Sequence, residues 1–94
     1  MGDRRGRLEI YHDILSAIKK DSQNNEKISP TRVQFKSNLS YDKLKQFVSE
    51  MSKKELLVDE VTMKITDSGK KFYDEYAEIR TMIKKLCDDV FTAD

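Results

Sequence analysis

The chain has 94 residues, 37% hydrophobic and 37% charged, with a formal net charge of +1. That fits one small domain with a small core, polar beside the roughly 45–50% apolar content usual for globular domains, and a partner subunit would add buried surface. No apolar run nears the ~18 residues of a membrane span, no signal-peptide stretch opens the chain, and the single cysteine, Cys87, excludes an internal disulfide or a cysteine-rich zinc site.

Residues 1–7, Met-Gly-Asp-Arg-Arg-Gly-Arg, read as a flexible basic arm. Leu8, Tyr11, Ile14, Leu15 and Ile18 have helical spacing, and Lys19-Lys20 suit a helix C-terminus, which predicts a helix over 8–20. Residues 21–29 form a polar loop. Ser29-Pro30 marks the next start, with Ser as cap and Pro in the first helical position. This short helix, 30–37, has Val33 and Phe35 as its only large apolar contacts. Asn38-Leu39 makes a turn, and Ser40 caps a helix over 41–53. Leu39 and Leu44 have hydrophobic-staple spacing, and Leu44, Phe47, Val48 and Met51 form a continuous apolar stripe.

Residues 56–59 and 62–65 read as two short strands, Met63 and Ile65 alternating with Lys64. Thr66 or Asp67 then caps a last helix over 67–91. Its Phe72, Tyr76, Ile79, Ile83, Leu86 and Val90 follow spacings of 4, 3, 4, 3 and 4, an unbroken heptad seam.

Charge is unevenly spread. Residues 27–54 hold seven basic side chains against two acidic ones, a block of net +5 in a nearly neutral chain. Three helices, a hairpin and a final helix, with this basic block over the second and third helices, define the expected fold. It is α+β, mainly α: a winged helix-turn-helix over 8–66 with a long C-terminal coiled-coil dimerisation helix over 67–94.

Opposite the apolar stripe of the third helix lie Asp42, Gln46, Ser49 and Lys53, with Lys45 on the shoulder. Gln reads adenine through paired hydrogen bonds, and Lys contacts guanine or phosphate; an ordinary solvated face has the same composition. Arg32 and Lys36 sit on the helix that usually crosses the DNA backbone, as phosphate contacts or as solubilising charge. Ser40 at the helix start, Tyr41 as a stacking or packing group, and Lys64 on the wing complete the candidate DNA-contact set. Arg4, Arg5 and Arg7 either enter a minor groove or belong to a disordered terminus. His12 has no second histidine beside it and reads as structural or exposed, and Cys87 as a small residue beside the seam. Asp88-Asp89 and Glu75-Glu78 read as solvated charge. No phosphate-binding glycine loop, metal set or catalytic constellation appears, so no enzyme activity and no cofactor are expected.

Particular short elements carry a resemblance. They are Arg7-Leu8-Glu9-Ile10, Asp13-Ile14-Leu15, Thr31-Arg32, Asn38-Leu39-Ser40-Tyr41, Leu56-Leu57 and Ile65-Thr66-Asp67-Ser68-Gly69-Lys70. Together they resemble a family of archaeal winged-helix DNA-binding proteins that includes the ten-kilodalton Sulfolobus chromatin protein, over about residues 7–90. The resemblance implies a DNA-binding domain dimerised by a long C-terminal helix in an antiparallel coiled coil. Many members have glycine where Glu55 stands here, ending the third helix in a left-handed turn.

The expectation is a homodimer that binds duplex DNA in the cytoplasmic nucleoid, as a small transcriptional regulator or a nucleoid-associated protein. Were Arg32, Lys36, Lys45 and Lys53 each to neutralise one phosphate, a dimer would show a log–log salt slope of about −7. The competing expectation is a protein-interaction module whose C-terminal helix docks a partner. An RNA-binding winged helix is a third.

Overall fold

The computed structural model describes residues 4–91, which hold four helices: α1 (Arg7–Asn24), α2 (Pro30–Ser37), α3 (Tyr41–Lys53) and α4 (Asp67–Phe91). The last three match the expected bounds because each begins at a cap written in the sequence. Ser29 accepts from the Arg32 amide ahead of Pro30, and Ser40 accepts from the Lys43 amide. Thr66 Oγ1 accepts from the Gly69 amide at 2.9 Å.

Helix α1 is longer than expected, running through Asp21 to Asn24 rather than stopping at Lys20. Asp21 is fully buried, and its carboxylate accepts from the Ser29 amide at 3.0 Å and from Arg32 Nη2 at 3.2 Å, with Arg32 Nε also in contact. A buried carboxylate needs such donors, and they arrive from the following loop and α2. The Asp21 side chain therefore continues the helix and clamps α2 to it, where the polar composition of 21–29 reads as a loop throughout.

The core is organised around α1. Ile10, Tyr11, Ile14, Leu15 and Ile18 are buried on it, against Val33 of α2 and Leu44, Phe47, Val48 and Met51 of α3. Each such side chain contributes about 1.5–3 kcal/mol by leaving water. Tyr11 lies at its centre, edge-on to Phe47 at 6.1 Å and to Phe72 of α4 at 6.2 Å. The two expected apolar contacts of α2 separate: Val33 is buried, whereas Phe35 is 87% exposed. Two positions along a helix place them about 200° apart, so α2 buries only one of them.

The basic arm is also shorter than expected. Arg7 opens α1, and Arg5 Nη1 donates to Asp13 Oδ2 and to the Ser37 carbonyl, both at 2.8 Å. Its Nη2 donates to the Asn38 carbonyl at 3.2 Å. Arg5 thus ties the front of α1 to the end of α2. Residues 1–3 of the expected arm, and 92–94 of the expected C-terminal helix, lie outside the described residues.

Helices α2 and α3 both end on left-handed residues. Asn38 has φ 58° and ψ 47°, a conformation asparagine tolerates. After α3 the left-handed residue is Glu55, φ 63°. There the Leu56 amide donates to Met51 O at 2.9 Å and the Glu55 amide to Ser52 O at 3.1 Å, the bond pair of a Schellman ending. The turn implied by the family resemblance is present with glutamate in the glycine position.

The wing corrects the expected strands. Among the described residues it is reduced to one antiparallel bridge, Leu57 with Ile65, flanked by Val58 N to Lys64 O at 2.8 Å and Thr66 N to Leu56 O at 3.2 Å. The tip is a turn held by Asp59 Oδ1, which accepts from the Val61 and Thr62 amides at 2.9 and 2.6 Å. Buried Met63 takes φ 53° and leaves the extended region, so the ladder stops there.

Gly69 explains how α4 joins the body. A Cβ there would collide with the Leu56 carbonyl oxygen and stand 2.9 Å from Ile65 Cγ2. Thr66 adds a bond from its hydroxyl to Glu55 O at 2.6 Å. The Ile-Thr-x-x-Gly element is therefore the joint between α3's ending, the wing and α4.

Candidate nucleic-acid interface

The α2–turn–α3 unit is held from three sides: by the Asp21–Arg32 clamp, by Arg5 on the turn carbonyls, and by the buried stripe of α3. Its outer face is α3's polar side. Asp42, Lys45, Gln46 and Lys53 are exposed there and Ser49 is partly exposed. Lys45 Nζ lies 5.6 Å from the Tyr41 ring centroid, and the Tyr41 ring is itself exposed.

Several side chains beside this face have partners inside the protein. The Glu50 carboxylate, four residues after Gln46, accepts from the Tyr11 hydroxyl at 2.8 Å and faces Arg7 at 3.5 Å. The Tyr11 bond, followed by the Arg7 charge, holds Glu50 below the usual carboxylate range. Burial foremost, then the Glu50 contact, pushes the Tyr11 hydroxyl up to about 12. Ser40 spends its oxygen on the helix cap. Glu50 is the link sequence reasoning missed; its partner Tyr11 lies on another helix, so no local spacing signals it.

Arg32 is the largest change. Its guanidinium is engaged by Asp21 and by the Lys27 carbonyl at 3.0 Å, so its first role is structural. The Arg32 bonds hold the Asp21 carboxyl below its usual range. Lys36 Nζ reaches the same carboxylate at 3.9 Å from an otherwise solvent-facing position. Lys64 is exposed on the wing.

The heptad positions of α4 divide into two groups. Phe72 and Tyr76 are half-buried against α1: Phe72 meets Tyr11, and Tyr76 lies 5.2 Å from the His12 ring. His12 also stacks on Tyr73 at 4.6 Å, and Arg80 Nη1 approaches its Nδ1 at 3.5 Å. Beyond Ala77 every described residue is exposed, and Ile79, Ile83, Leu86 and Val90 remain 51–68% exposed. Leu8, the first residue of the apolar helical spacing on α1, is also exposed; it lines a shallow groove with Phe72, Tyr76 and Ile79.

Among the described residues, no helix is long and apolar enough to cross a membrane, and no cluster of His, Cys, Asp or Glu is placed to hold a metal ion. A capped, basic α3 presented after a tight turn from α2, with a hairpin behind it, defines a helix-turn-helix protein of the winged class. The chain belongs to the winged helix-turn-helix family, which it matches over residues 4–84, and that membership suggests DNA binding. No curated protein and no solved structure matches it.

Proposed function

We propose that the protein binds duplex DNA as a homodimer, α3 entering the major groove and α4 pairing antiparallel with its copy. The observation that carries the DNA reading is the exposed polar side of α3, rigidly backed by a buried stripe and a two-sided clamp on α2. Gln46 and Lys45 are the proposed base-reading groups, with Lys36, Lys53 and wing Lys64 on phosphates. The exposed Gln46 amide carries both N–H donors and a carbonyl acceptor, the pair of groups a base edge needs. Ser40, Tyr41, Asp42 and Ser49 line the same approach.

The dimer reading is supported by the exposed half of α4. In an antiparallel pair centred on Thr81, Phe72 faces the partner's Val90, Tyr76 faces the partner's Leu86 and Ile79 faces the partner's Ile83. The groove of Leu8, Phe72 and Tyr76 then receives the far end of the second helix. The two Cys87 residues would stand about 18 Å apart along the axis, beyond disulfide reach. The likeness to archaeal chromatin-type winged helices supports the same arrangement and a nucleoid location, as regulator or architectural protein. The role is binding, without catalysis or cofactor.

Titrating duplex DNA at several salt concentrations tests the reading. With Arg32 committed to Asp21, Lys36, Lys53 and Lys64 give about six phosphate contacts per dimer and a log–log slope of about −5. A slope near zero, or no binding at low salt, would reject DNA binding in favour of protein docking.

A further inference from the structure

A groove to which α3 contributes nothing opens between the second half of α1, the loop before α2, the wing and the first turn of α4. Its volume is about 640 Å³, within the roughly 300–1,000 Å³ of small-molecule sites. Ile28, Val61 and Ile65 give it an apolar lining, and Lys19, Lys27, Lys64 and Lys70 also line it, against one carboxylate, Glu26.

Positive charge is in excess beside this apolar surface, with Glu26 the one carboxylate of the lining and Asp59 of the wing tip facing Lys64. Lys70 stands in the first turn of α4, where the helix dipole disfavours a cation. Lys19 is held beside the groove by the face of Tyr73, its Nζ 4.3 Å from the ring centroid. DNA phosphate would answer the charge but would leave the apolar lining in water. A ligand that answers both has a hydrocarbon or aromatic body and one anionic head.

We propose that this groove binds a free amphipathic carboxylate, its apolar body on Ile28, Val61 and Ile65 and its head among Lys27, Lys64 and Lys70. The body buries apolar surface that the fold leaves open, and the head pairs with the lysine ammonium groups. Because Val61 and Lys64 belong to the wing, an occupied groove fixes the wing against α1 and withdraws Lys64 from phosphate. That last link rests on the proposed DNA binding; the ligand site does not.

The probe is decanoate, below its micellar range, titrated calorimetrically into the full chain. One saturable site per chain is expected. Lys27→Gln with Lys70→Gln, checked for an unchanged circular-dichroism spectrum, should weaken it about tenfold or more. Acetate, which lacks the tail, and decyltrimethylammonium, which reverses the charge, should not bind. Absent decanoate binding, an unchanged affinity in the folded double variant, or equal binding of the cation would overturn the site. In the DNA titration, saturating decanoate should lower affinity in the parent and not in Lys64→Gln. Equal lowering in both would overturn the wing link alone. A chain that binds decanoate but no DNA would refute the proposed function and leave the site standing.

Discussion

The body of the protein and the outer half of α4 solve the same problem differently. In the body, α1 is covered by α2, α3, the wing and the base of α4, and even polar groups such as Asp21 and Ser37 are enclosed with partners. In the outer half, 78–91, a helix with equally apolar positions stays exposed at every residue among the described ones. One heptad pattern runs through both, but Phe72 and Tyr76 are used on α1 while Ile79 to Val90 are presented outward. Periodicity alone says that a face will be buried, not by which chain.

Substitutions in the two regions should therefore fail differently. Phe47→Ala in the body should cost about 3–5 kcal/mol, a large part of a small domain's stability, and thermal melting should show a loss of the whole fold. Ile83→Asp should leave the body's fold intact. It should convert dimer to monomer in sedimentation and weaken DNA binding on the order of 10²-fold, as the second half-site is lost. An unchanged dimer would show that the outer seam serves something other than self-pairing.

At the joint, Gly69→Ala drives a methyl into the Leu56 carbonyl and should cost about 1–3 kcal/mol by denaturant titration. Glu55→Gly should do the reverse, relieving a left-handed glutamate for a gain of about 0.5–1 kcal/mol, seen as a rise of a few degrees in Tm.

The smallest effect is expected at His12, where α1 meets α4. Burial first, then the Arg80 charge, holds its pKa below the usual histidine value, against opposing pulls from Asp13 and Glu9. The unfolded chain then takes up the proton more readily. Stability is fully present above about pH 6.5 and falls as pH drops below it, levelling once the folded histidine is itself protonated. His12→Gln should flatten that part of the melting profile. Asp21, whose pKa is lowered chiefly by its Arg32 bond, should cost stability only further into acid, as pH falls below the usual aspartate range towards its folded value.

What the sequence made legible was whatever is decided locally. Ser29-Pro30, Ser40 and Thr66 set helix starts through bonds made within one turn, and the α3 stripe identifies its buried side without further information. What was hidden depends on distant partners. Asp21 looks like a loop residue until Arg32, eleven positions later, encloses it. Arg5 looks like part of a free arm until the Ser37 and Asn38 carbonyls, more than thirty positions away, accept its bonds. Phe35 and Val33 differ only in which side of α2 meets α1. The wing has β-type composition, yet four residues spent on the Asp59 turn and a left-handed Met63 leave room for one bridge. Of the candidate DNA contacts, the α3 face was readable from its helical geometry, whereas the engagement of Arg32 by Asp21 was not.

The unbroken run of α4 also makes it a ruler. In the proposed pair centred on Thr81, the two α4 starts lie about 42 Å apart, from about 1.5 Å per residue, against about 34–36 Å for one turn of duplex DNA. Helical pitch fixes the angle as well as the distance. Each residue added between Gly69 and Thr81 would swing one reading head by about 100° about the helix axis while moving it only about 1.5 Å. In that proposed pair the number of residues in the stretch would set the phase in which the two heads meet the grooves, and only changes near whole heptads would keep them in register.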